Sequence, residues 1–272
     1  MTTTDLFVEL ENFYDAVPRQ QATVEVHGGL ALFVQRDEGA YPLYARPVLG
    51  ASPTRADLDV VRARQRALGV PEAFEWVHQT TPGLLDLAEA AGLAVLRAPL
   101  MVCEPERLSD LAPKNATIRL LDAADPAVQD DLVQLRAALG VAFGNPGTET
   151  GAAGTAERDE AVPDGRRTSQ TDLELMAAGL RVHVLAESAT EGVLGGGATQ
   201  RAGEVAEVVG VGTLPAARRR GLAAAVTAAL ARQAYQTGAR LVFLSAGSEE
   251  IARVYATVGF RRIGTACIAE PA

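Results

Sequence analysis

The amino-acid sequence predicts an α+β protein, a mixed and mostly antiparallel sheet flanked by helices, built as two units of the same element order. Three observations predict it. Short runs of alternating apolar residues recur between longer stretches with helical spacing. The segment from 104 to 116 combines prolines and charges with little periodicity, which reads as a linker, residues 105–116, between a domain at 1–104 and another at 117–272. The order before that linker, hairpin, helix, strand, helix, strand, repeats the order after it without repeating its sequence.

The N-terminal part opens with a helix near Leu6–Tyr14, then strands at about 22–27 and 30–35 separated by the turn-forming Gly28 and Gly29. An extended segment near Leu43–Val48 leads to a helix from Thr54 to Leu68, a strand near Glu72–His78, a helix at 82–91 and a strand at 93–102. Phe74 and Trp76 are expected to serve packing or the domain interface rather than cofactor stacking, since an aromatic pair on a strand is usually core. After the linker come a strand near Thr117–Leu121, a helix from about Pro126 to Val141 and a second near Thr171–Ala178. Between these helices, Phe143–Gln170 is rich in Gly, Thr, Glu, Asp and Pro; a stretch this long is either a functional loop or a disordered insertion. Strands are expected at 181–187, 192–199 and 204–213. Gly195, Gly196 and Gly197 weaken the second of these and read as a bulge or irregular edge, the alternative being close approach of another backbone or of a ligand.

The run from 205 to 223 carries the most chemistry. Alternating apolar positions make a strand, Pro215 prevents its continuation, and the alanine-rich Leu222–Gln236 is a strong helix former. Arg218, Arg219, Arg220 and Gly221 therefore form a basic turn at a helix N-terminus. The first N–H groups of a helix have no intrahelical partner, and a glycine lets a phosphate approach the main chain, so this turn is an anion cradle. No lysine followed by serine or threonine succeeds the glycine, and no dinucleotide-binding glycine pattern occurs. A strand at 240–246 follows, then a helix that Ser248 can cap, with Glu249 and Glu250 in its first turn and Gly259 at its stop, and a final strand from Arg261.

Arg218, Gly221 and Ala223 at this spacing resemble the pyrophosphate-binding motif of the GNAT superfamily of acyl-CoA-dependent N-acetyltransferases. Tyr255, Gly259 and Phe260, between a helix and a last strand, match the usual end of such a domain. The resemblance covers essentially all of 117–270 and implies a GNAT fold there, with a degenerate GNAT-like unit before it. In that first unit Asp57 and Asp59 stand at the helix start where the second has arginines; acids there suit the helix dipole and repel a pyrophosphate, so one acyl-CoA site per chain is expected.

The resemblance implies an enzyme that transfers an acetyl group from acetyl-CoA to a primary amine in a ternary complex. Main-chain N–H groups from Arg219 through Leu222 to Ala223 would hold the pyrophosphate, with Arg218 and Arg220 adding charge. Val211 and Thr213 would pair with the pantetheine arm, and the Val211 N–H would polarise the acyl carbonyl. Glu207, fourteen residues before Gly221, stands where the histone-acetylating branch has its general base; a strand-end carboxylate facing water or an arginine is the other account. Tyr255 matches the acid for the leaving thiolate, and is otherwise a core aromatic. Ser248 stands where relatives often carry a pantetheine-binding asparagine, and a helix cap explains it equally well. An alternative reading is a non-catalytic acyl-CoA-binding regulatory module; a third, an assembly protein, would require a cradle that binds nothing.

A net charge of −9 argues against nucleic acid as the main ligand. Cys103 and Cys267 are too few and too separated for a disulfide framework or metal site, and are expected as reduced thiols. His27, His78 and His183 lack metal or triad spacing and are expected to be structural. With no apolar run long enough to span a bilayer and no secretory pattern, the sequence suggests a cytoplasmic protein without a membrane partner, monomer or homodimer, acting on a small-molecule or peptide amine.

Overall fold

The computed structural model describes residues 3–36, 43–162 and 169–272. Residues 163–168, within the segment expected as a loop or insertion, lie outside that description. The chain divides into two units, Met1–Leu100 with Ile263–Ala272 and Met101–Arg262. No helix among the described residues is long and apolar enough to cross a membrane.

Unit 1 contains helices α1 (Thr3–Arg19), α2 (Arg55–Leu68) and α3 (Gly83–Ala90). Its strands are β1 (Ala22–His27), β2 (Leu30–Gln35), β3 (Ala45–Pro47), β4 (Phe74–Val77), β5 (Leu93–Cys103), which runs on into unit 2, and the C-terminal β11 (Arg261–Pro271). They lie in the order β1-β2-β3-β4-β11-β5. The last strand, expected to close the C-terminal domain, instead pairs antiparallel with β4, Cys267 opposite Trp76 and Ala269 opposite Phe74. Cys267 and Ala269 share a face by the two-residue strand period and bury in one cluster with Phe74, Trp76, Leu58 and Leu84, which fixes the strand in this unit. The aromatic pair serves packing, as expected.

A buried ionic cluster also lies in unit 1. Arg46 donates to Glu11 at 2.8 Å with both side chains buried, and its guanidinium stacks over Tyr14, 4.2 Å from the ring centroid. Glu11 also accepts from Thr80 Oγ1 at 2.6 Å and the Val77 N–H at 3.2 Å, so its charge is hydrogen-bonded as burial requires. Burial pushes the Glu75 carboxyl up to about 7, with Arg46 pulling down and Glu270 pushing further up.

Unit 2 contains β6 (Thr117–Leu120), α4 (Val128–Gly144), α5 (Thr155–Ala161), α6 (Gln170–Ala177), β7 (Arg181–Ser188), β8 (Gly192–Ala202), β9 (Val205–Thr213), α7 (Leu222–Gln236), β10 (Leu241–Ser245) and α8 (Glu249–Val258). The strand order is β10-β9-β8-β7-β6, antiparallel except for the parallel pair β9 and β10. Leu132 and Leu135 of α4 and Val226 and Leu230 of α7 bury with Leu185, Leu194 and Val242 of the strands. Arg119 of β6 ties α4 to β7 by two-pronged pairs with Asp131 and Glu187. His183 lies 3.5 Å from Asp172, which Arg181 holds at 2.5 Å, a structural tie between α6 and β7.

Two segments differ from expectation. Residues 105–116 are anchored in unit 2, with the Ser109 N–H donating to Val258 O at 2.9 Å and the Lys114 N–H to Arg220 O at 3.1 Å. The segment 143–170, read as structureless, forms α5. Its Gly154 start has the Glu157 carboxylate accepting from its N–H at 2.7 Å, and Arg158 is buried, donating to the carbonyls of Glu191 and Val193. Seven residues capped by a glycine leave too little periodicity to read as a helix.

The run Gly195–Gly197 is irregular, as expected, and closely approached as well. Gly196 opposes Gly212 while Ala198 opposes Val209, so Gly210 and Val211 face the single residue Gly197 in a bulge. A Cβ on Gly195 would collide with the Gly212 carbonyl, and one on Gly196 with that of Val184.

Two outcomes follow for stability. Burial holds the folded-state pKa of Glu75 above the ordinary glutamate value of 4.5, so unit 1 is most stable below that value and loses stability as pH rises toward about 7. Glu75→Gln should therefore raise the melting temperature at pH 8 and change it little at pH 5. The gain is on the order of 2–3 kcal/mol, and an equal effect at both pH values would refute it. Gly196→Ala should destabilise the protein by more than about 2 kcal/mol in chemical denaturation.

Candidate functional site

The site begins where β9 leaves β10. Their parallel pairing runs Leu241 with Val205, Val242 with Ala206 and Phe243 with Glu207, and stops there, although β9 continues to Thr213 and β10 to Ser245. Beyond Glu207, β9 keeps β8 on one side and exposes a free ladder edge on the other. The bulge falls in this free part. Gly210 adopts φ 62, which a glycine takes at no cost, and it strengthens the local twist that turns the strand away.

Past Thr213 a single 3-10 turn, Pro215–Ala217, delivers the chain to the basic segment. Arg219 is left-handed at φ 64, and Gly221, the N-cap of α7, is left-handed at φ 78 with no side-chain cap. A Cβ added at Gly221 would meet nothing within 4 Å. No side chain caps the opening N–H groups of α7 at the positive end of its dipole, an arrangement that suits an anion such as a pyrophosphate.

The arginine side chains expected to add charge to the cradle are also engaged by the protein itself. Arg218 donates to the main-chain carbonyls of Glu149 at 3.0 Å and Ala142 at 3.3 Å, and also to that of Asn145. Arg219 pairs with the Glu149 carboxylate. Arg220 grips both oxygens of Glu191, at 2.6 and 3.2 Å. Glu149 and Glu191 were not singled out by sequence, since they stand 70 and 29 residues from their partners. The segment before α5 is docked alongside, Gly151 N–H to Pro215 O and Ala216 N–H to Ala153 O. A shallow hollow of about 290 Å³ lies between it and the turn, with Glu157, Glu191, Leu214 and Ala217 in its lining.

The other residues singled out by sequence lie as follows. Glu207 is buried at the last rung shared with β10, opposite Gln200 of β8. Val211 is a bulge residue outside the β8 register, and Thr213 pairs with Gly195. Leu222 and Ala223 open α7. Ser248 caps α8, its Oγ accepting from the Ile251 N–H at 3.2 Å. Tyr255 is buried on α8 with its ring 6.3 Å from that of Phe260, and burial pushes its hydroxyl up to about 12. The structure thus joins Glu207, Val211, Thr213 and the cradle along one strand and the helix it feeds, and sets Ser248 and Tyr255 on α8, which packs on α7.

A sheet whose middle strands part above a helix-start cradle defines the GNAT fold. Residues 192–269 match the family model described as FR47-like protein. The chain is similar to the solved GCN5-related N-acetyltransferase of Kribbella flavida, at 21% identity and TM-score 0.71, covering 98% of this chain and 96% of that one. It is also similar to the GCN5-related N-acetyltransferase of Sphaerobacter thermophilus, at 18% and 0.55 over 90% and 81% of the two chains. A tandem GNAT protein from the clavulanic acid biosynthesis pathway aligns at 16% and 0.52 over 89% and 79%. No protein of curated function matches. These likenesses give the chain the GNAT fold, with residues 192–269 matching the FR47-like model.

Arg218→Ala should free the segment it holds. Limited proteolysis is expected to cut first between 142 and 150 in the variant and not in the wild type, with a stability loss of about 1–3 kcal/mol.

Proposed function

We propose that unit 2 transfers an acetyl group from acetyl-CoA to a primary amine, by direct attack in a ternary complex. The observation that carries this reading is the parting of β9 from β10 after Glu207, with the uncapped Gly221 start of α7 beyond the end of β9. An extended chain with a phosphate at one end fits that arrangement. The pantetheine arm would lie along the open edge at Val211 and Thr213, as an added strand does, while the N–H groups from Arg219 to Ala223 receive the pyrophosphate.

The residues then divide the work. Glu207 takes a proton from the acceptor ammonium, whose nitrogen attacks the thioester carbonyl carbon. The Val211 N–H meets the negative charge that grows on the carbonyl oxygen, a donor fixed before reaction by the bulge. As the carbon–sulfur bond breaks, Tyr255 gives its hydroxyl proton to the thiolate, and the second proton that the nitrogen sheds as the amide forms restores the phenol. Burial pushes this phenol up to about 12, so it carries its proton near neutrality. Ser248, already a cap, would contribute its O–H to the pantetheine. Burial pushes the Cys103 thiol up to about 11, which leaves it little thiolate and favours direct transfer over an acyl-enzyme.

Calorimetric titration of acetyl-CoA should give one equivalent per chain for wild type and none for Gly221→Asp, which sets a carboxylate in the cradle. No binding to folded wild type would refute the proposal. Tyr255→Phe should lower kcat about a hundredfold at saturating substrates; full turnover would remove the tyrosine from the chemistry. Binding without turnover across a panel of primary amines would select the non-catalytic acyl-CoA-binding module instead.

A further inference from the structure

The cations expected to meet the phosphates are largely engaged by the protein. Arg218 is held by three carbonyls, Arg219 by Glu149 and Arg220 by Glu191. Lys114, the only lysine in the chain, stands beside them. Its main-chain N–H donates to the carbonyl of Arg220, the residue immediately before Gly221, at 3.1 Å.

Its position is fixed from both sides. Asn115 takes φ 55, a left-handed turn conformation that asparagine tolerates. Upstream, Ser109 is bonded through its N–H to Val258 O and through its hydroxyl to Thr257 O, and downstream Thr117 enters β6. The Lys114 side chain is exposed, and its ammonium makes no ion pair among the described residues. A flexible point charge therefore rises from an anchored turn at the edge of an anion cradle, two of whose arginines are already paired with carboxylates.

We propose that Lys114 is a donor-binding residue, its ammonium contacting the phosphates at the nucleotide end of acyl-CoA. The inference rests on the acyl-CoA reading of the cradle and deepens it. Main-chain N–H groups fix where the ligand sits, and the lysine adds a side-chain charge that no carboxylate pairs among the described residues. An ion pair of this kind is partly exposed, so its effect is moderate and salt-dependent.

Calorimetric titration of CoA and of 3′-dephospho-CoA into wild type, Lys114→Met and Lys114→Arg tests this. Lys114→Met should weaken CoA binding roughly two- to fivefold at low ionic strength, with the difference shrinking in high salt, and Lys114→Arg should restore most of it. A loss confined to CoA assigns the contact to the 3′-phosphate; an equal loss for both ligands assigns it to the pyrophosphate. Unchanged affinity of Lys114→Met for both ligands would overturn the inference while leaving the cradle intact. Wild type that binds neither ligand would overturn the acyl-CoA reading and this inference with it.

Discussion

The site depends on how few rungs β9 shares with β10. Three parallel pairs hold the two strands together, and from there β9 is supported by β8 alone. Backbone N–H and C=O groups within a sheet are normally paired, so a strand that leaves its neighbour in mid-course presents an unfilled ladder. The bulge at Gly210 and Val211 accompanies that departure, and the bare glycines of β8 allow it, since side chains there would strike the facing carbonyls. Glu207 sits at the fork, and the residues that follow lead through one tight turn into the start of α7.

The arginine turn illustrates how a motif and its environment can differ in effect. Three consecutive arginines invite the reading of a strong phosphate clamp. In the fold they serve first as structural ties, drawing Glu149, Glu191 and three main-chain carbonyls around the turn. The attraction left for an anion comes from the helix start, which no side chain caps, and from Arg218, whose partners are neutral carbonyls.

Unit 1 meets the same helix-start problem in the opposite way. Thr54 caps α2, and the Asp57 carboxylate accepts from the N–H groups of Thr54 and Gly29. Those hydrogen bonds hold its carboxyl below the usual range, so an anion is already built into the helix start. A second phosphate site there would have to displace a covalently attached acid.

Local chemistry was readable from sequence wherever it is carried by neighbours in the chain. The strand, turn and helix at 205–236, the Ser248 cap, the Gly259 stop and the Gly28–Gly29 hairpin all rest on residue types within a few positions of one another. The resemblance carried by Arg218, Gly221, Ala223, Tyr255, Gly259 and Phe260 then pointed to the fold. Contacts between distant segments were decided by the tertiary structure alone: the pairing of β11 with β4, the anchoring of 105–116 in unit 2, the docking of α5 through buried Arg158, and the engagement of each arginine. The reason is that propensity, capping and periodicity act within a few residues, whereas strand partners and ion pairs are chosen by burial and geometry across tens to hundreds of residues.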